Sequence, residues 1–251
     1  PVDIMLTLDF SGSMLYNQFG GVVSDDDITI DGTTYSETTK IDLVELGTRQ
    51  FIDFLQNAGA DVEVGVAYFD GEKNVDTEPR TGILQPLTSD LSVVDGALDG
   101  LRQKLANVVT GGAGSTPTDG DGNPNPFAGA GNIATGTYIG EGVDDAQIEL
   151  GNGRSGVEKQ NIILSDGQSF NGTGSTVFSS PEDAAASARA GPGGAISPSP
   201  PSPETNVYTI NVNGSASTLL AMAGAAGQSG GDPVFFNDLD DPLNIPTVFG
   251  N

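Results

Sequence analysis

Four short, mostly apolar runs that each stop at a polar or acidic residue constrain this chain more than any other feature. Val2–Leu8 stops at Asp9, Val62–Phe69 at Asp70-Gly71, Asn161–Leu164 at Ser165-Asp166, and Val207–Val212 at Asn213. Runs with so little polar alternation suit strands covered on both faces, as parallel strands are. Between them lie stretches with helical spacing. Ile41, Val44, Leu46, Phe51, Ile52 and Leu55 form a stripe over Lys40–Gln56. Further helices are expected over Ser92–Val109 with Ser89 or Asp90 as cap, over about 139–150, over Pro181–Ala190 with Ser180 as candidate cap, and over Ser217–Ala226. Asp70-Gly71 reads as a turn, 28–35 as a short hairpin, Val234–Phe236 as a final strand and 238–248 as a terminal helix. Strands alternating with helices predict an α/β fold: a doubly wound, mostly parallel, Rossmann-like central sheet with helices on both faces. The expected organisation is one domain over 1–251, with long loop insertions at about 15–39, 110–134, 167–182 and 191–204.

Composition removes most chemistries. With 9 Lys+Arg against 34 Asp+Glu the net charge is −25, which disfavours nucleic acid and anionic lipid because both demand basic patches. The chain has no Cys and no His, so disulfides, thiolate or imidazole metal sites, Cys nucleophiles and Ser-His-Asp triads are excluded. No apolar run approaches the ~20 residues of a membrane-spanning helix, and no signal peptide is recognised. A chain that runs from Pro1 straight into a strand reads as a processed or excised domain. The acidity itself has two readings. Scattered carboxylates keep a protein hydrated in concentrated salt, where self-repulsion is screened; clustered ones capture cations.

Three polar constellations are each expected just after a strand: Asp9-Phe10-Ser11-Gly12-Ser13-Met14, Gly136-Thr137-Tyr138-Ile139-Gly140-Glu141-Gly142, and Leu164-Ser165-Asp166-Gly167-Gln168-Ser169. In an open parallel sheet the carboxyl ends of the strands share one edge, where ligands collect. Two carboxylates and three hydroxyls would meet there, with no basic residue among them. Hard oxygen donors without N or S select Mg²⁺, Ca²⁺ or Mn²⁺. Alternation of Ser11 and Ser13 with Phe10 and Gly12 turns both hydroxyls the same way. Taken singly, each segment also reads as an ordinary helix cap.

Taken together, Asp9-x-Ser11-x-Ser13, the Gly-Thr-x-x-Gly segment roughly 125 residues on, and the Leu-Ser-Asp-Gly strand end 29 residues after Thr137 resemble the von Willebrand factor type A (vWA) family and its metal-ion-dependent adhesion site. The resemblance extends from Val2 to about Val248. It implies that Ser11 and Ser13 bind the metal through their hydroxyls, that Thr137 (preferred to Thr135 by its spacing to Gly140) joins them in a high-affinity conformation, and that Asp9 and Asp166 act mainly through water. The implied ion is Mg²⁺, or Ca²⁺ or Mn²⁺ in its place, with one position left open for an acidic group of a protein partner.

Further acidic and glycosylation motifs lie along the chain. Asp119, Asp121 and Asn123 alternate as in calcium loops, but position 130 is Ala where an EF-hand would close with Glu, so at most a looser Ca²⁺ site is read there. Asp25-Asp26-Asp27 is a weaker cluster. Asn171-Gly172-Thr173 and Asn213-Gly214-Ser215 are N-glycosylation sequons. The functional expectation is a cation-dependent protein-binding or adhesion module of a prokaryotic cell-surface, secreted or pilus-like filament protein, extracellular, probing polar or glycan surfaces or self-associating, and halophilic by its charge. The alternative is an intracellular vWA subunit assisting an ATPase in metal-chelatase or assembly work. Enzymatic use of the metal is not expected, because no general base with a partner is evident.

Overall fold

The computed structural model describes residues 1–15, 28–30, 33–35, 39–72, 79–101, 105, 137–167, 181–190, 203–212, 219, 222 and 235–236. In chain order these form β1 (Val2–Asp9), a 3₁₀ turn (Gly12–Leu15), the hairpin β2 (Ile28–Ile30) and β3 (Thr33–Tyr35), α1 (Lys40–Ala58), β4 (Val62–Glu72), β5 (Pro79–Thr88) and α2 (Leu91–Ala97). After them come α3 (Ile139–Asn152), β6 (Glu158–Ser165), α4 (Pro181–Ala190), β7 (Asn206–Asn211) and β8 (Phe235–Phe236). Six strands make one sheet in the order β5-β4-β1-β6-β7-β8, and every neighbouring pair is parallel except β4 with β5. The chain builds outward from β1 to β4 and β5, then crosses back to place β6 on β1's other side. The switch point therefore falls between β1 and β6, and a crevice at their carboxyl ends is the natural ligand position.

The sheet is wound on both faces, as the alternating runs imply. Ile4, Leu6 and Leu8 of β1 and Val64 and Val66 of β4 pack with Ile41, Val44, Phe51 and Ile52 of α1 and with Leu91 and Val94 of α2. On the opposite face Met5 and Ala67 meet Ala146 and Leu150 of α3, while Ile163 and Val207 pack with Ala184, Ala185 and Ala188 of α4. Beyond Val2, every residue of β1 is buried, which explains a run with so little alternation.

Local chemistry sets the element ends. Thr39 caps α1 through a reciprocal box: its hydroxyl accepts from the Asp42 N–H at 3.4 Å, and its own N–H donates to Asp42 Oδ2 at 2.7 Å. Asp90 caps α2 by accepting from the Ser92 N–H at 3.2 Å. In α2, continuous α-helix ends at Ala97, followed by a turn at 98–100. Gly59, at φ 61°, closes α1 two residues later than the stripe suggested.

Two differences stand out. The Asp70-Gly71 turn signal is overridden: β4 runs through it to Glu72 and pairs antiparallel with β5, Glu72 opposite Pro79. β5 itself was not expected from the sequence. Pro79, Gly82 and Pro86 weaken a strand reading, and they are tolerated because β5 is the sheet's edge and its ladder with β4 is interrupted by register shifts.

Candidate metal centre

The site begins where β1 runs out. Phe10 N–H still donates to the Phe69 carbonyl at 2.8 Å, and the Met14 N–H then folds back onto the Ser11 carbonyl at 3.0 Å to start the 3₁₀ turn. Phe10 and Met14 are fully buried and anchor this turn in the core. The serines between them face together, with Ser11 Oγ and Ser13 Oγ 3.0 Å apart.

Asp9 ties the turn to the neighbouring strand. One carboxylate oxygen accepts from the Ser11 N–H at 2.8 Å, and the other accepts from the Ser165 hydroxyl at 2.6 Å. Ser165 Oγ in turn accepts from the Gly167 N–H at 3.0 Å. That turn needs Gly167 at φ 76°, a left-handed conformation that glycine adopts without a Cβ penalty. Asp166, between them, is 1 % exposed. Burial drives the Asp9 carboxyl upward, and the Asp166 carboxylate pushes it further, to about 7; hydrogen bonds from Ser11 and Ser165 oppose the shift without cancelling it.

Thr137, also buried, precedes α3. The first turns of that helix lie hard against the same sheet edge. A Cβ on Gly142 would come within 2.8 Å of Phe69, and Phe69 is the register partner of Asp9. Only glycine lets the helix approach that closely.

One expectation about this edge is corrected. A site without basic residues was expected; the structure instead places Lys40, the first residue of α1, with its ammonium 3.0 Å from Asp166 Oδ2 in a buried ion pair. The gross attraction at that distance is about 5 kcal/mol at an effective dielectric near 20, comparable with the several kcal/mol each buried ion gives up in hydration. Such a pair is close to break-even. Lys40 and Ser165 are the two residues that sequence reasoning left out of the site. Ser165 sat inside the recognised Leu-Ser-Asp-Gly segment. Lys40 had a signal as well: it is the only Lys or Arg among the first 48 residues, and it opens a helix, where the macrodipole disfavours a cation.

The donor set is therefore two buried carboxylates and a pair of adjacent hydroxyls, with Thr137 at the neighbouring helix start. All are hard oxygens, and the mutual repulsion of Asp9 and Asp166 is the electrostatic condition a divalent cation relieves. The residues fit such an ion. Among the described residues no group of three or more acidic side chains is arranged to hold a metal. Asp119, Asp121, Asn123, Asn171 and Asn213, together with Asp25–Asp27 and Thr135, lie outside the described residues.

The fold and this edge define a doubly wound α/β domain with oxygen-bearing side chains gathered at the switch point of its sheet. No protein-family model matches the chain, and no curated protein does. Solved structures do. An aerotolerance-related membrane protein from Bacteroides fragilis superposes with a TM-score of 0.56 at 14 % identity, over 100 % of this chain and 98 % of that one. The pilus adhesin SpaC from Lactobacillus rhamnosus GG gives 0.52 at 18 % identity, over 100 % of this chain and 30 % of the adhesin. Proximal thread matrix protein 1 from the mussel byssus gives 0.51 at 17 % identity, over 99 % and 44 %. At these identities the likeness is one of fold.

Proposed function

We propose that this chain is a vWA domain that holds a divalent cation, Mg²⁺ or in its place Ca²⁺ or Mn²⁺, at the carboxyl edge of its sheet and uses it to bind an acidic group of a protein partner. The observation that supports this best is the convergence of Asp9, Ser11, Ser13 and Asp166 at the β1/β6 switch point. Ser11 and Ser13 would hold the ion through their hydroxyls and Thr137 would join them, while Asp9 and Asp166 act through water. When bound, the ion supplies a positive, Lewis-acidic centre for a partner carboxylate. The protein's part is to supply mainly neutral hydroxyls as direct ligands, to fix them with Asp9 and Ser165, and to hold the site partly dry so that a charge-assisted bond gains strength. The role is that of a binding module rather than an enzyme.

A pilus adhesin and a membrane-associated protein among the structural likenesses support an adhesion or filament module at a prokaryotic cell surface. Beads carrying the domain should be retained on a surface of carboxylate-terminated peptide in Mg²⁺ and released by EDTA. Retention should tolerate high salt, because a −25 surface repels an acidic partner and long-range attraction does not drive the contact. Ser13→Ala should lose retention while keeping its circular dichroism spectrum, since Ser13 is only partly buried. Equal retention in EDTA would remove this reading.

The remaining charge supports a salt-adapted domain. Carboxylates crowd even on one helix: burial, then Asp145 and Glu141, push the Asp144 carboxyl up to about 6. Lowering KCl from molar to about 0.1 M, where the Debye length lengthens from ~3 to ~10 Å, should lower the melting temperature. A melting temperature that rises on desalting would leave the charge without this explanation.

A further inference from the structure

We propose that Lys40 is a tethered competitor for the cation, holding Asp166 until a divalent ion displaces its ammonium and thereby keeping monovalent ions out of the site. The inference rests on the metal reading above and adds to it the residue that sets which cations enter.

Three observations carry it. The Lys40 ammonium lies 3.0 Å from Asp166 Oδ2, one of the two carboxylates of the centre, so ammonium and metal would draw on the same negative charge. Lys40 is 6 % exposed and stands at the first position of α1, where burial and the positive end of the helix both work against a cation. Nor is it needed to start the helix. The Thr39–Asp42 box already caps α1, and Ile41, Val44 and Ile52 seat it on the sheet. A charged group placed at a cost, in a chain with four lysines, and aimed at a centre carboxylate is accounted for by the centre.

The selectivity follows from charge and tethering. Na⁺ or K⁺ carries the same charge as the ammonium but must be recruited from solution, so it gains nothing by replacing a group held in place. A divalent ion brings twice the charge and takes the Ser11 and Ser13 hydroxyls as well, which the lysine does not reach for in this arrangement. In concentrated salt that distinction keeps the site from filling with monovalent ions.

Calorimetry with Mg²⁺ on the whole 251-residue chain tests this with Lys40→Met and Lys40→Arg beside the parent. Lys40→Met should bind Mg²⁺ at least about tenfold tighter than the parent, having lost the competing charge, whereas Lys40→Arg should bind like the parent. Lys40→Met should also gain a melting-temperature rise with Na⁺ at constant ionic strength (choline as the replacement) that the parent lacks. Should Lys40→Met fail to fold without cations, because the buried Asp166 has then lost the Lys40 ammonium, Mg²⁺ should restore its far-ultraviolet circular dichroism. Equal or weaker Mg²⁺ binding by Lys40→Met, or an unfolded Lys40→Met that Mg²⁺ does not restore, would overturn the competitor role while parental binding leaves the metal reading standing. No Mg²⁺ heat and no thermal shift in any of the three proteins would end both.

Discussion

Asp9→Asn should bind Mg²⁺ about 10–100-fold more weakly than the parent, or without measurable heat, while remaining folded. Asp9 does two things at once. It presents negative charge to the centre, and its two oxygens hold the Ser11 backbone and the Ser165 hydroxyl, fixing the geometry of the turn. Groups that orient and charge a metal site from behind its direct ligands typically contribute that much to affinity. The asparagine keeps the size and its carbonyl can accept from Ser11, so the turn survives; the charge goes, and with it the oxygen that accepts from the Ser165 hydroxyl. Stability should not suffer, because the carboxyl is under strain from burial and from Asp166, which together lift it to about 7. Calorimetry with parallel thermal melts separates the outcomes. A variant that binds Mg²⁺ as the parent does would place the ion elsewhere.

The second large effect lies at the opposite end of the same strand and concerns stability alone. Asp3 is fully buried on β1 and accepts from Lys159 of β6, from the Arg154 guanidinium at 2.7 Å and from the Arg154 N–H at 2.8 Å. Burial by itself raises the Asp3 carboxyl, but the hydrogen bonds from Lys159 and Arg154 outweigh it and hold the group below the usual carboxylate range. Asp3→Ala leaves the Lys159 ammonium, 6 % exposed, without that anion. The expected loss is about 3–5 kcal/mol in denaturant titration. Because the Asp3 pKa is lowered, the parent's share of this stability is present above about pH 4 and falls away as pH drops through the folded value. The Asp3→Ala variant should lack that acid-side decline. Pairing Asp3→Leu with Lys159→Met should recover much of the loss, since an apolar pair in place of a buried ion pair is often neutral or better. A single-variant loss under 1 kcal/mol would show that water, beside the Arg154 carbonyl that already accepts from Lys159 at 2.7 Å, satisfies the ammonium.

Much of the fold is legible in the sequence alone. The apolar runs marked β1, β4, β6 and β7, and the stripe from Ile41 to Leu55 marked α1, because burial on two faces or on one leaves a direct imprint on hydrophobic spacing. The hairpin at 28–35 was legible from its turn chemistry, and α4 from the Ala-rich run that follows Pro181. β5 was not: prolines and a glycine are read as breakers, and only its place at the sheet edge shows why they are harmless. The turn at Asp70-Gly71 failed for the same kind of reason, since pairing with β5 outweighs a local preference.

The site divides along the same line. Asp9, Ser11, Ser13 and Asp166 could be brought together from the sequence because they follow the apolar runs of β1 and β6, and strand polarity puts such ends on one edge of a parallel sheet; Thr137 was named through the resemblance to the vWA pattern. Lys40 could not be joined to Asp166 that way. The two are 126 residues apart, and their meeting depends on the first turn of α1 settling beside the carboxyl end of β6. Composition and spacing set the architecture and the oxygen donors, because those follow from local patterns of burial. Packing alone decided that a buried ammonium shares the crevice with them, because the energy of a charge in a protein depends on what lies within a few ångströms of it, and the sequence does not carry that distance.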